Sequence, residues 1–307
     1  EMCGRDWSSD VCSSDLRALY ADALSELGRV PGWAPHILGG TPFIEALSGG
    51  DSLYPPSVLL LMLMEPYRAL GWKLVLHVFL AGLFMFGWIR SLGGSRASAL
   101  FAGTAYLLAP FFVSFVRPGH DGKIFVTALA PLMFWVTERH FRRPTLSSFA
   151  GIGLVVAGII YTTHFQMAYF LFGGVGLYAI FRAVQTARGL DEVTPGLDRR
   201  AGGLRFALFL AASIAGAAGA AWQLVPAAEY VTEYSRRIQT TEEATGQTGR
   251  TWSSSFSMNP EELVSLVIPE FAGNFAGGGV AWATGTDRKS TRLNSSHVRT
   301  SRMPSSA

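Results

Sequence analysis

The sequence predicts an all-α fold: a polytopic transmembrane helical bundle with extracytoplasmic loop segments, truncated at both ends. Three observations lead there. Six apolar stretches lie near 72–91, 97–116, 123–138, 146–162, 165–184 and 205–225. Each approaches the about 20 residues that a helix needs to cross roughly 30 Å of hydrocarbon. The stretches are apolar all round rather than along one stripe, the pattern of helices surrounded by lipid or protein. The loops between them alternate in arginine content, the pattern that orients membrane helices.

The two ends of the chain stand apart from this pattern. Residues 6–16, "DWSSDVCSSDL", and residues 287–296, "DRKSTRLNSS", can be encoded by opposite strands of one DNA sequence. Both resemble translated short-read sequencing adapters, so residues 1–16 and 287–307 are expected to be adapter-derived and to pack loosely. Cys3 and Cys12, the only cysteines, fall in the first of these, and no disulfide or thiol argument survives. The head carries a net −3 and the tail a net +4, so setting both aside lowers the formal charge from +3 to +2. The basic pI therefore gives no reason to expect a nucleic-acid partner.

The remaining chain divides in order. Residues 17–71 read as an extracytoplasmic loop. "ALYADALSEL", residues 18–27, has the pattern of a short amphipathic helix. "SLYPPSVLLLMLMEP" has an apolar run too short to span and reads as an interfacial or re-entrant helix, opened by Pro55 and Pro56 and closed by Pro66. Residues 72–225 hold the six spans. Among their connections, "RSLGGSR", "ERHFRR" and residues 185–204 are rich in arginine, whereas "RPGHDGK" and "TTHFQ" carry two basic residues and none. The arginine-rich loops are expected in the cytoplasm and the others outside. Residues 226–286 then form a second extracytoplasmic segment, in which Asn259 caps a helix opened by Pro260. Delivery of residues 17–71 to the outside is expected to rest on an upstream helix or signal ahead of Arg17.

Candidate chemistry gathers at the outer loops. Arg117, His120, Asp121 and Lys123 lie together in "RPGHDGKIF". Cations there could hold a phosphate, and the acid or the imidazole could move a proton. His164 and Gln166 sit in a tight turn inside an almost continuous apolar stretch, where polar groups are costly unless they line a cavity or an interface. His77, alone on an apolar helix, reads as a packing residue. Asp22, Glu26, Glu45 and Asp51 read first as solvated loop carboxylates, although Glu45 and Asp51 could face a cleft above the membrane. No metal-ligand spacing and no phosphate-binding glycine loop occurs, so neither a metal nor a nucleotide cofactor is expected.

The series "GWAPHILGGTPFIEA", "LYPP", "RPGHDGKIFVTALAPL", "THFQMAYF" and "WSSSFSMNPEELVSLVIPEFAG" resembles the YfhO family of bacterial membrane proteins across most of residues 17–280. That family is similar to the C-type glycosyltransferases. The resemblance implies a multi-pass enzyme of the bacterial cytoplasmic (inner) membrane that works on its outer face. It would take a sugar from a polyprenyl-phosphate donor, bury the polyprenyl chain among membrane lipid, and pass the sugar to a cell-envelope acceptor. Such enzymes keep an essential acid in the first outer loop. Asp15 belongs to the adapter-derived stretch, which leaves Asp22 as the nearest acid. The resemblance thus implies Asp22, Asp121 and His120 as catalytic groups, and Arg117, Lys123, His164, Gln166 and Glu45 as substrate-binding groups. Lacking that acid and the later spans, the piece itself is expected to be inactive. A lipid or polymer transporter and a non-catalytic membrane assembly protein are the alternatives.

Overall fold

The computed structural model describes residues 9–35, 40–47, 49–116, 120–190 and 199–234, with side chains from Leu16 onward. The structure is an all-α bundle. Its helices are α1 (Ser9–Leu27), α2 (Pro55–Leu63), α3 (Pro66–Ser91), α4 (Arg96–Leu107), α5 (Pro110–Val116), α6 (Asp121–Arg142), α7 (Leu146–Tyr161), α8 (Phe165–Ala187), α9 (Arg199–Gly219) and α10 (Ala221–Glu233). A two-residue antiparallel pairing, β1 (Trp33–Ala34) with β2 (Thr41–Pro42), and a 3-10 turn, Gly50–Leu53, fold the first loop.

Local chemistry sets the element ends. Pro55 and Pro66 open α2 and α3 at the position where a missing N–H is harmless. The Ser95 hydroxyl caps α4, and Thr145 with Ser148 forms a reciprocal capping box on α7. The stretch expected as one span over 97–116 is interrupted at Leu108–Ala109, ahead of Pro110. The stretch expected over 205–225 is likewise split at Ala220, between α9 and α10. The short helix expected over 18–27 extends back to Ser9. Leu16, expected to pack loosely, is buried instead with Tyr20, Ala34, Phe43, Leu61 and Ala69.

Among the described residues, four helices are long and apolar enough to cross a membrane: Pro66–Ser91, Arg96–Val116 taken through its break, Phe165–Ala187 and Arg199–Gly219. Their flanks carry exposed Phe79, Phe101, Leu177 and Ile214, each more than 60 % accessible. An apolar surface of that extent is unfavourable in water and suits lipid. The chain is a membrane protein. Exposed Tyr67, Trp72, Tyr169 and Trp222 cluster at the ends of α3, α8 and α10, where amphipathic rings favour a membrane–water boundary.

The third expected span, 123–138, proves different from these four. It lies in α6, whose ends carry Asp121, Lys123, Glu138, Arg139 and Arg142, and whose middle holds Pro131. α6 is the buried axis of the bundle and packs against α3, α5, α7, α8 and α9. Its buried polar residues, Thr137, Glu138 and His140, are accommodated because neighbouring helices, not lipid, cover them.

Side-chain contacts fix the helix directions. Trp135 of α6 meets Gly87 of α3, and the Glu138 carboxylate meets Arg182 of α8, so α3, α6 and α8 run the same way. α7 and α9 run opposite to them: the His140 ring donates to the Arg205 carbonyl at 3.0 Å, and the Tyr161 hydroxyl donates to the Gly219 carbonyl at 3.0 Å. α7 and α9 touch backbone to backbone, since a Cβ on Gly216 would lie 2.4 Å from the Gly153 carbonyl oxygen. Only glycine permits that approach.

Candidate functional site

The turn after Gly49 and Gly50 builds the site. Gly50 takes φ +55°, a conformation glycine adopts without strain. The Ser52 hydroxyl donates to the Gly49 carbonyl at 2.5 Å and closes the turn. Asp51 is thereby directed inward and is 2 % exposed. Its Oδ1 accepts from Arg17 of α1 at 2.6 Å. Its Oδ2 accepts from the Lys73 ammonium of α3 and the Ser57 hydroxyl of α2. Arg17 Nη2 also donates to Asp121 at the first position of α6. Four segments distant in sequence thus meet in one network of two cations and two acids.

A neutral pair extends it. The His77 ring nitrogen Nδ1 lies 2.7 Å from the Lys73 carbonyl, and Nε2 lies 2.9 Å from the Tyr54 hydroxyl. A carbonyl only accepts, so Nδ1 carries the proton and Nε2 accepts from Tyr54. Phe125 packs tilted against His77, their ring centres 4.4 Å apart, and receives the Lys73 ammonium on its face at 4.9 Å. His77 is fully buried with both nitrogens satisfied, in keeping with a packing role.

Electrostatics separate the two acids. Burial works against the Asp51 charge, but Lys73, Arg17 and the Lys73 and Ser57 hydrogen bonds outweigh it and hold its carboxyl well below the ordinary range. Such a carboxylate is a poor proton acceptor. Burial, aided by the Asp51 charge, pushes the Tyr54 phenol well above its ordinary value, which keeps it a donor. Asp121 is 25 % exposed and, among the described residues, accepts from Arg17 and, at 2.9 Å, from the Gly122 N–H. It is the acid of the network that an outside molecule can reach. Arg17 retains two buried donors, Nε and Nη1, that have no partner among the described residues.

The sequence candidates divide around this network. Asp121 belongs to it. His120 is exposed at the N-cap of α6, and Lys123 follows in the first turn with its ammonium 5.8 Å from the Phe115 ring centre. His164 is brought to the same place: a Cβ on Gly122 would lie 3.1 Å from the His164 Cβ. Burial moves its imidazole below the ordinary value, and the neighbouring Lys123 and His120 act in the same direction. Gln166 is exposed two residues further on, and among the described residues no hydrogen bond ties its side chain to the network. Asp22 is exposed on α1, and Glu45 is half-buried in the first loop; neither touches Asp51 or Asp121. Arg117 lies outside the described residues, as does the Asn259 helix.

Arg17, Lys73 and Ser57 went unremarked at the level of sequence, and Asp51 was read first as solvated. Lys73 left the clearest signal. A lysine inside "GWKLVLH" is costly in an apolar helix unless an acid meets it, and Asp51 is the acid that does.

A second buried acid lies at the far end of α6. Glu138, fully buried, accepts from Arg142 at 2.5 Å and from the Tyr178 hydroxyl at 2.7 Å, and pairs with Arg182 at 3.0 Å. Beside it Arg205 donates to the Phe141 carbonyl. No group of three or more metal-ligating side chains occurs among the described residues. A scan against protein-family models and searches of curated proteins and solved structures find nothing that matches this chain.

Proposed function

We propose that the chain is part of a multi-pass glycosyltransferase of the YfhO type in the bacterial cytoplasmic membrane. It takes a sugar from a polyprenyl-phosphate donor and passes it to a cell-envelope hydroxyl on the outer face. The observation that carries this reading is the pairing, at one end of the bundle, of a locked acid with a reachable one. Asp51 is bound by Arg17, Lys73 and Ser57, whereas Asp121 is part-exposed beside His120, Lys123 and His164.

The roles follow from that difference. The acceptor hydroxyl attacks the anomeric carbon while the bond from that carbon to the phosphate oxygen breaks. The hydroxyl proton passes to the Asp121 carboxylate, and polyprenyl phosphate departs with the electron pair. Lys123 and His120 offset charge on the leaving phosphate. Asp51 serves as the fixed countercharge that keeps Arg17 and Lys73 in place. Asp22 is exposed on α1 with no ion pair to the network among the described residues, and is the weakest of the three catalytic candidates. The apolar flank of α2 and α3 offers a wall for the polyprenyl chain.

The test uses the uninterrupted gene product in proteoliposomes with a radiolabelled polyprenyl-phosphate sugar. Asp121→Asn should lower transfer by about 100-fold or more with donor binding retained, the scale of a lost general base. Unchanged transfer in that variant, or export of the lipid without bond formation, would overturn the reading.

A further inference from the structure

The end of the bundle opposite the Asp51 network is rich in arginine. The segments 90–96, 138–145 and 182–205 contain ten arginines and four acids. One of those acids is Glu138, which is buried; the other three fall in 191–198, outside the described residues. Arg96 is the first residue of α4, and Arg199 and Arg200 are the first two of α9. Arg139 and Arg143 close α6 just ahead of α7. All five are exposed, and among the described residues their guanidinium groups have neither an ion pair nor a hydrogen bond.

Among the described residues this placement is unfavourable. α4, α7 and α9 begin at this end, and none carries an acid in its first turn. Arginines at the positive ends of α4 and α9 repel the helix dipoles and one another. Counter-charge supplied from outside the chain would relieve both. At the opposite end the described residues include exposed acids, Glu65, Glu229 and Glu233, as well as the bases Arg29, Arg68 and Lys123.

From this charge complementarity we infer that the arginine end is a docking surface for anionic phospholipid headgroups. The apolar flanks of α3, α4, α8 and α9 bring it to the level of a leaflet's phosphates, and each guanidinium can clasp a phosphate through two donors. The lipid is a structural partner, and its binding does not depend on sugar transfer.

The full chain is reconstituted in nanodiscs of phosphatidylcholine alone or with one-third phosphatidylglycerol. The anionic discs should raise the thermal midpoint by roughly 5 °C or more at low salt, and high salt should erase the gain. Native mass spectrometry should find phosphatidylglycerol retained after delipidation. Replacing Arg96, Arg139, Arg143, Arg199 and Arg200 by Gln should abolish the gain and the retention. The same five changed to Lys should keep most of both, which separates lost charge from lost folding. Equal midpoints in the two discs would overturn the inference. So would full retention in the Gln variant, or an equal gain from millimolar inorganic phosphate in phosphatidylcholine discs.

Discussion

The two buried acids of this bundle solve one problem in different ways. Asp51 and Glu138 are each almost sealed from solvent and each meets two cations. Around Glu138 the partners come from α6 itself, one turn away, and from its neighbour α8. Arg142 is 24 % exposed and can reach past the protein surface, so the surplus positive charge is partly solvated. Around Asp51 the partners come from α1 and α3, and both cations are as buried as the acid. Balance there needs Asp121 as a second acid. The Glu138 cluster therefore clamps two helices already side by side. The Asp51 network instead joins the first loop to the bundle, and Asp121 remains partly open.

That contrast predicts unequal losses. Asp51→Asn should be the most damaging change, because it leaves Arg17 and Lys73 buried without their shared acid. A loss of about 3–5 kcal/mol is the usual scale for breaking such a pair. Guanidinium unfolding in detergent would measure it, and adding Lys73→Met should recover part of the loss. A loss below about 1 kcal/mol would erase the distinction between the two clusters.

Glu138→Gln should cost less, about 1–3 kcal/mol, because Gln still accepts from Tyr178 and Arg142 can turn to solvent. The same unfolding experiment decides it; a loss equal to that of Asp51→Asn would mean that partner exposure does not set the difference.

Acid titration gives the smallest effect and the sharpest attribution. The Asp51 carboxyl is depressed in the folded state. The unfolded chain therefore binds its proton first as pH falls. The stability it contributes is complete above the ordinary carboxylate value of about 4 and is lost as pH falls through the lower folded value. The slope is at most about 1.4 kcal/mol per pH unit for one group. Stability measured from pH 5 downward should fall less steeply in Asp51→Asn than in the parent. Parallel slopes would show that Asp51 is not held ionised by the fold.

Much of the bundle was legible before any coordinates. Apolar length predicts α3, α7, α8 and α9, and Pro55 with Pro56 predicts where α2 begins, because these signals are local to a few turns of chain; Pro66, expected only to close α2, also opens α3 six residues ahead of the expected start at 72. Breaks near Ala109 and Ala220 were not legible, since an apolar run continues across each. α6 was counted among the spans although its ends are charged, because hydropathy cannot tell a lipid-covered helix from a helix-covered one.

For the site, the sequence by itself singled out "GHDGK" and the His164 turn. Charged and polar groups packed into a short connection between apolar runs stand out at any distance. It also determined that the helices are apolar enough for lipid and that one set of loops is rich in arginine. Only the tertiary structure decided that Arg17, Asp51, Lys73 and Asp121 are partners, since they lie up to 104 residues apart and share no periodicity. Burial is the physical reason. Within the folded bundle each of these charges is costly alone and tolerable together, and that condition arises only once α1, the first loop, α3 and α6 have met.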